Sequence, residues 1–175
     1  LKVSLTYAFL TVGLELLLGL GIALLLQKRT RFNNFVSIML LMPLMTAPAL
    51  ASLMWKLMTN PGFGILSYFA SLIGLEDFRW ASDPSTAMLT VVLVDIWVYT
   101  PFIMILLLAG LRSLPQQPFE AAALDGVPRL FVFWRITLPM LTPFLLTATL
   151  FRVIESIQQF DIKDQSSIWR YRSAS

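Results

Sequence analysis

The 175-residue chain is 57% hydrophobic and only 13% charged, with a mean hydropathy of +0.75. Soluble domains usually carry about 25% charged residues, so this composition excludes a soluble domain and favours a helical membrane protein. The net charge of +3 comes without a basic run interleaved with aromatics, which argues against nucleic-acid binding. The sequence has no Cys and no His, which excludes disulfides, thiolate metal sites and imidazole chemistry.

The start of the chain is apolar and carries neither a basic flank nor a small-residue cleavage site, which is not typical of a signal peptide. We expect the chain to be a piece of a longer protein.

Four apolar segments are long enough, or nearly so, to cross about 30 Å of hydrocarbon as helices. They cover residues 5–26, 35–55, 87–111 and 138–154. Pro43 and Pro48 predict a kink in the second segment. Charges are sparse within the segments: Glu15 in the first, Asp95 in the third and Arg152 near the end of the fourth. The sequence therefore predicts an all-α membrane protein with about four spans.

The loops predict the orientation of these spans. Residues 27–34 and the stretch between the third and fourth segments carry basic residues, whereas residues 59–86 are mainly acidic. Basic loops stay in the cytoplasm, so the first two loops are predicted inside and residues 59–86 outside. The basic tail after residue 154 conflicts with this rule. Within the outer loop, residues 60–64 predict a turn and residues 65–75 a short amphipathic surface helix.

A polar interruption of about twenty residues precedes the fourth segment. Pro118 suits the first turn of a helix, and Glu120 in that turn is favoured by the helix dipole. Asp125 and Gly126 predict the helix end, and Pro128 predicts the start of a second short helix. The alanines after Glu120 are predicted to form a small-residue surface for another protein. The alternative is a simple re-entry loop, in which Glu120 is only a cap and Gly126 only a stop.

The spacing in this stretch resembles the signature of the integral-membrane subunits of binding-protein-dependent ABC importers. That signature is Glu-Ala-Ala, three residues, Gly, nine residues, Ile, one residue, Leu-Pro. The matching positions are Glu120, Ala121, Ala122, Gly126, Ile136, Leu138 and Pro139. Asp125 before the glycine and the trailing Pro143 resemble the sugar and glycerol-phosphate branch, which is the maltose type. The resemblance covers residues 1–162 as an incomplete permease domain and leaves residues 163–175 as a divergent or disordered tail.

The resemblance implies a type I ABC importer permease core in a bacterial or archaeal cell membrane. Its coupling helix would dock on a cytoplasmic ATPase dimer, with Glu120 pairing with a basic group and Pro128 in the same coupling stretch. The implied partners are that ATPase, a second permease subunit, an extracytoplasmic solute-binding protein and membrane lipid. ATP and Mg²⁺ would bind the ATPase, because this sequence has no phosphate-binding loop motif, and no cofactor is expected here.

A second group of residues is a candidate for the substrate pathway. Asp95, Tyr99 and Phe102 have the spacing i, i+4, i+7 and are predicted to share one helix face. A carboxylate within a span is costly and normally faces the bundle interior or a water-filled path, where it would hydrogen-bond a sugar beside aromatic rings. The alternative is a packing hydrogen bond to another helix. Ser156 and Gln159 are weaker candidates.

Two other classes of function compete with a permease. One is a small membrane scaffold or channel without an ATPase, which leaves the gap-free signature unexplained. The other is an intramembrane hydrolase built on Glu15 and Asp95, which would need both acids at one site although they lie on separate spans. Glu15 is predicted to be structural, with a partner on another helix. The resemblance also implies six spans, of which this chain has four.

Overall fold

The computed structural model describes residues 2–46, 48–60, 62–72, 80 and 84–172, with side-chain environments for 7–46, 50–60, 62–72, 80, 86 and 89–156. The described residues form helices and turns and contain no strand. The helices are α1 (Lys2–Leu25), α2 (Arg31–Leu40), α3 (Pro48–Met58), α4 (Ile65–Leu72), α5 (Pro84–Ser113), α6 (Gln117–Leu124), α7 (Arg129–Val132) and α8 (Leu138–Arg172).

Three helical stretches within the described residues have the length and hydropathy to cross a membrane: Tyr7–Leu25, Leu89–Ser113 and Arg129–Ser156. A fourth is present if the broken pair Arg31–Met45 and Leu50–Met58, bent by 96°, counts as one span. The break lies where the prolines predict it, because a 3₁₀ turn begins at Pro43 and α3 begins at Pro48. Proline lacks the N–H that would continue the helical hydrogen bonding.

Helices α1, α5 and α8 pack against one another around a continuous apolar core. Its buried members are Ala23, Leu26, Ile103, Met104, Leu107, Leu108, Leu111, Leu114, Leu141 and Ala148. Two glycines let the helices approach closely, as small residues do in membrane bundles. A Cβ added at Gly19 of α1 would lie 2.7 Å from Cγ2 of Ile103, and one at Gly110 of α5 would lie 2.6 Å from Cγ of Phe144.

Arg112, in the last turn of α5, joins this bundle to the first loop. Its guanidinium donates to the carbonyl oxygens of Leu26 (3.0 Å) and Gln27 (3.4 Å) and to Oδ1 of Asn34 (3.2 Å). The last carbonyls of a helix have no intrahelical partner, so Arg112 supplies donors just beyond the end of α1. We call this end of the bundle, from which α6 also continues, the loop end, and the opposite end the far end.

The predicted turn between the second and third apolar segments is present, and a helix follows it as predicted. Gly64 N–H donates to the carbonyl of Asn60 at 2.8 Å, and Gly62 N–H donates to Oδ1 of the same asparagine at 2.9 Å. Helix α4 follows as Ile65–Leu72, and the remainder of the predicted helix, residues 73–75, lies outside the described residues. At the other end of the chain, α8 continues to Arg172 through the predicted domain limit at residue 162.

Candidate functional site

Helix α6 is the short helix that the polar interruption predicts. Proline lies in its first turn, with Glu120 in the same turn. Its inner side is anchored, because Phe119 packs on the apolar core and Ala122 is buried. Glu120, Ala121 and Ala123 are exposed. The prediction that all three alanines form a surface is therefore wrong for Ala122, whose position on the helix faces the bundle.

A Schellman motif ends α6 at the predicted glycine. Gly126 has φ +66°, the left-handed conformation that glycine adopts without strain. Its N–H donates to the carbonyl of Ala123 at 3.3 Å, and Val127 N–H donates to the carbonyl of Ala122 at 3.0 Å. These are the two hydrogen bonds of the motif, so the sharp turn after Asp125 is built into the sequence.

The second short helix differs from the prediction. Helix α7 begins after Pro128, but it runs through a π-helical turn, Phe133–Thr137, directly into α8. Ile136 lies within that turn, and Leu138 and Pro139 begin α8. The expectation that the second short helix is separate from the fourth span is therefore wrong, because the backbone stays helical through this π-helical turn. A π-helical turn is a local adjustment that accommodates a proline within a membrane helix.

The loop end presents large apolar side chains to its surroundings. Leu124 is 90% exposed and Leu130 is 71% exposed, with Phe131 and Trp134 also more than half exposed. They are interspersed with exposed Glu120, Asp125, Arg129 and Arg135. Exposed apolar groups rimmed by charges are typical of protein or membrane contacts. We call Glu120, Ala121, Leu124, Leu130 and Phe131 the docking surface.

A buried charge cluster lies midway along α1 and α8, centred on Arg152 of α8. Its Nε donates to Oε2 of Glu15 at 2.5 Å, and its Nη2 donates to Oε1 of Glu15 at 2.7 Å and to Oδ2 of Asp95 at 3.0 Å. Its Nη1 donates to Oε2 of Glu155 at 3.2 Å. The side chains of Arg152 and Glu15 are fully buried, and that of Glu155 is half exposed. One arginine thus connects α1, α5 and α8.

The predicted pathway residues Asp95, Tyr99 and Phe102 share one face of α5, and all three contact α8. Asp95 accepts from Arg152, and the ring of Tyr99 lies 3.9 Å from the Arg152 guanidinium carbon in a cation–π contact. Phe102 makes an edge-to-face contact with Phe151, with the centroids 6.3 Å apart. Of the alternatives for Asp95, the hydrogen bond to another helix is therefore present within this chain.

Of the two weaker pathway candidates, Ser156 and Gln159, the structure describes the side-chain environment of Ser156 alone. Ser156 is buried one helical turn beyond Arg152, and its hydroxyl has no hydrogen-bond partner among the described residues. The side chain of Gln159 lies outside the described residues. Between the described side chains, no group of three or more acidic residues is arranged to hold a metal ion.

The sequence shows Arg152 only as a charge near the end of the fourth segment and does not show that it is the centre of this cluster. Glu15 is predicted to have a partner on another helix, and the matching signal is a lone basic residue within an otherwise apolar span. The expectation that separate spans keep Glu15 and Asp95 apart is wrong, because both accept from Nη2 of Arg152. Both carboxylates serve there as hydrogen-bond acceptors for a cation, which is not the arrangement of an acid pair sharing a proton.

The chain has long apolar helices, charges paired inside the bundle and an exposed helical loop. Together these features define a multi-pass helical membrane protein. The family described as "binding-protein-dependent transport system inner membrane component" matches residues 15–162, which is most of the chain. The protein belongs to this family, as its Glu-Ala-Ala signature predicts.

Its relatives include permease proteins of several transport systems. The chain is 36% identical over 160 residues to the trehalose/maltose transport system permease protein MalF of Thermococcus litoralis. The matched region covers 91% of this chain and 54% of that protein. It is 33% identical over 142 residues to the sn-glycerol-3-phosphate transport system permease protein UgpA of Pectobacterium atrosepticum. This second match covers 80% of this chain and 47% of UgpA. The chain therefore spans about half the length of the curated relatives it matches.

Two solved structures share the fold. One is a bacterial alginate ABC transporter in complex with an alginate pentasaccharide-bound periplasmic protein, with a TM-score of 0.78, 22% identity, and coverage of 87% of this chain and 54% of that one. The other is a bacterial ABC transporter involved in alginate import, with a TM-score of 0.80 and 21% identity over 91% and 57% of the two chains. The helical membrane fold is thus confirmed, and the relatives do not favour a scaffold or channel without an ATPase.

Proposed function

We propose that this chain is the permease part of an ATP-driven importer, and that its docking surface receives a cytoplasmic ATPase subunit. The observation that carries the proposal is helix α6, which is anchored by Phe119 and Ala122 and leaves Glu120 exposed. A link between two membrane helices needs only a few residues. A capped helix that exposes large apolar side chains supports a role in contacting another protein.

The position of α6 suits the transmission of movement. It begins four residues after α5 ends and is followed, after the turn at Gly126, by the continuous helix formed by α7 and α8. A push on α6 would therefore act on two spans at once. We propose that closure of an ATPase dimer, driven by ATP and Mg²⁺ bound there, displaces α6 and changes the side from which the bundle is open.

The names of the relatives support a substrate class. They include permeases of trehalose/maltose and sn-glycerol-3-phosphate transport systems. We propose a sugar or a related polyol or glycerol phosphate as substrate, delivered by an extracytoplasmic binding protein and passed along an interface with a second permease subunit. In this arrangement the loop end faces the cytoplasm and residues 59–86 face outward.

Co-purification with the ATPase tests the docking surface. In the full-length permease, Glu120→Gln removes a negative charge from α6, and Gln117→Lys adds a positive charge one turn earlier, so both raise the net charge by one. We expect Glu120→Gln to reduce the amount of ATPase retained and the rate of uptake several-fold, whereas Gln117→Lys retains both. Equal retention in the two variants, or no ATPase recruited by the parent permease, would refute the proposal.

We also propose that Asp95, Tyr99 and Phe102 border the substrate pathway, with Ser156 and Gln159 as weaker candidates. The pairing of Asp95 with Arg152 means that Asp95 has a structural role in any case. Asp95→Leu is expected to reduce uptake while the complex still assembles. Normal uptake by a correctly assembled Asp95→Leu permease would remove Asp95 from the pathway.

A further inference from the structure

We infer that the turn between α1 and α2 binds the headgroup of an anionic phospholipid through three cations within four consecutive residues. They are Lys28, Arg29 and Arg31, and we call them the basic loop. This binding site goes beyond the proposed transport function, because it requires only that the chain spans a membrane.

The three cations of the basic loop are exposed and have no carboxylate partner. Among the described side chains, every ion pair involves Arg152 and none involves the basic loop. The neighbouring sequence offers no partner either, because residues 16–75 contain neither Asp nor Glu. Like charges this close together repel one another. An anion that contacts all three therefore relieves a repulsion that the surrounding chain leaves in place.

Hydrogen bonds hold the basic loop in a defined shape. The carbonyl of Lys28 accepts from Thr30 N–H and from Nδ2 of Asn33, both at 2.9 Å. Oγ1 of Thr30 accepts from Asn33 N–H at 3.1 Å and caps α2. Just before the loop, the carbonyl of Gln27 accepts from Arg112. The cations are thus carried on a fixed turn, so less conformational entropy is lost when a ligand binds them.

The basic loop lies where a spanning helix leaves the hydrocarbon. Helix α1 runs from the far end to the loop end, and its apolar stretch Tyr7–Leu25 ends three residues before Lys28. The 19 residues of this stretch rise about 28 Å as a helix, which matches a hydrocarbon thickness of about 30 Å. The three cations are therefore placed at the depth of the lipid headgroups.

Large apolar side chains flank the basic loop on both sides. Leu25 is 80% exposed, Phe32 is 73% exposed and Phe35 is 60% exposed. Basic residues beside exposed phenylalanine and leucine are typical of surfaces that lie in a membrane interface. A phospholipid offers a phosphate to the cations and acyl chains to these side chains, whereas inorganic phosphate offers only the charge. An anionic phospholipid is therefore the occupant that accounts for both sets of side chains.

A lipid bound to the basic loop would be linked to α5 through Arg112. This arginine lies in the last turn of α5 and donates to the carbonyls of Leu26 and Gln27 and to Oδ1 of Asn34. Restraint of the loop by a bound headgroup is expected to protect this set of hydrogen bonds. Hydrogen exchange at residues 26–34 is therefore a local readout of occupancy.

Titration of the delipidated full-length permease with phosphatidylglycerol or phosphatidylcholine, in a non-ionic detergent, tests the inference. Bound lipids are counted by native mass spectrometry, and hydrogen exchange at residues 26–34 shows whether they bind at the basic loop. The loop variant carries Lys28→Gln, Arg29→Gln and Arg31→Gln. The matched control loses three other exposed cations and has the same net charge; it carries Lys56→Gln, Arg129→Gln and Arg135→Gln.

We expect the parent to bind phosphatidylglycerol at least about tenfold more tightly than phosphatidylcholine, because each cation near an anionic headgroup strengthens binding about fivefold. The loop variant is expected to bind both lipids equally and to lose the slowing of exchange, whereas the control variant keeps both. Phe32→Gln together with Phe35→Gln keeps the cations and is expected to weaken phosphatidylglycerol binding several-fold. Inorganic phosphate at the same concentration is expected not to displace the lipid.

Equal binding of the two lipids by the parent, or unchanged phosphatidylglycerol binding by the loop variant, would overturn the inference. An equal loss in the control variant would also overturn it, because overall charge would then explain the binding. Displacement by inorganic phosphate would assign the loop to a free anion. A loop variant that keeps its lipid but retains less ATPase would assign the loop to an acidic protein surface. Lipid binding is measured without ATPase or substrate, so failure here is distinguishable from failure of the proposed transport function.

Discussion

Substitution of Arg152 by methionine is predicted to destabilise the chain strongly, because it leaves two buried carboxylates without their cation. Oε1 of Glu15 and Oδ2 of Asp95 lie 2.7 Å and 3.0 Å from the same Nη2 atom, so the two oxygens are at most 5.7 Å apart. At an effective dielectric constant of about 20, unit charges at this separation repel by about 3 kcal/mol. Breaking a buried ion pair by removing one partner costs about 3–5 kcal/mol.

We therefore expect Arg152→Met to lower the free energy of unfolding by about 3–5 kcal/mol. The triple variant that also carries Glu15→Gln and Asp95→Asn removes the repelling charges and is expected to recover most of that loss. The assay is unfolding of the purified chain in detergent micelles by added SDS, followed by tryptophan fluorescence. The control Arg31→Met, at an exposed position, is expected to change the stability by no more than about 0.5 kcal/mol.

Unfolding of Arg152→Met at the same SDS fraction as the parent chain would contradict this prediction. A triple variant as unstable as the single variant would also contradict it, because the loss would then come from missing packing around the long arginine side chain and not from unpaired charge.

Three further changes are expected to act on the loop end. Arg112→Gln loses donors to the carbonyls beyond α1 and is expected to lower the free energy of unfolding by about 1–2 kcal/mol. Hydrogen exchange at residues 26–34 is expected to become faster, and unchanged exchange there would contradict this prediction. Gly110→Val drives a side chain into Phe144 and is expected to cost about 1–3 kcal/mol in SDS unfolding, whereas Gly21→Val, with no atom within 4 Å of the new Cβ, serves as its control; equal costs would refute the packing argument. Gly126→Ala strains a residue at φ +66° and is expected to lower the free energy of unfolding by about 1–2 kcal/mol and to speed hydrogen exchange in α6. Gly126→Asn is expected to have less effect. Equal effects of Ala and Asn would contradict the requirement for a left-handed backbone at this position.

The sequence predicts most of the loop end because its signals are local. Pro118, Glu120 and Gly126 act on their own backbone neighbours, so the start and the end of α6 follow from short spacings. The proline break in the second segment follows for the same reason. The continuity of α7 with α8 does not follow from local signals. A proline is typical both of the first turn of a helix and of the residues just after a helix end, so Pro139 does not show whether the preceding helix continues.

The buried charge cluster could not be predicted from local signals, because its contacts join residues far apart in the chain. Arg152 and Glu15 are 137 positions apart, and periodicity within one helix does not specify which charge on another helix it meets. Opposite charges within apolar spans do indicate that a pairing exists. Which of Glu15, Asp95 and Glu155 takes the paired hydrogen bonds depends on how α1, α5 and α8 pack.

We propose that α6 is the element that contacts the ATPase. The most direct test places a single cysteine at exposed Ala121 of α6 in the full-length complex, with a control cysteine at exposed Tyr68 of α4. We expect Ala121→Cys to cross-link to the ATPase, with a yield that changes when ATP is added, and Tyr68→Cys to give no such product. Cross-linking from Tyr68→Cys and none from Ala121→Cys would contradict the claim.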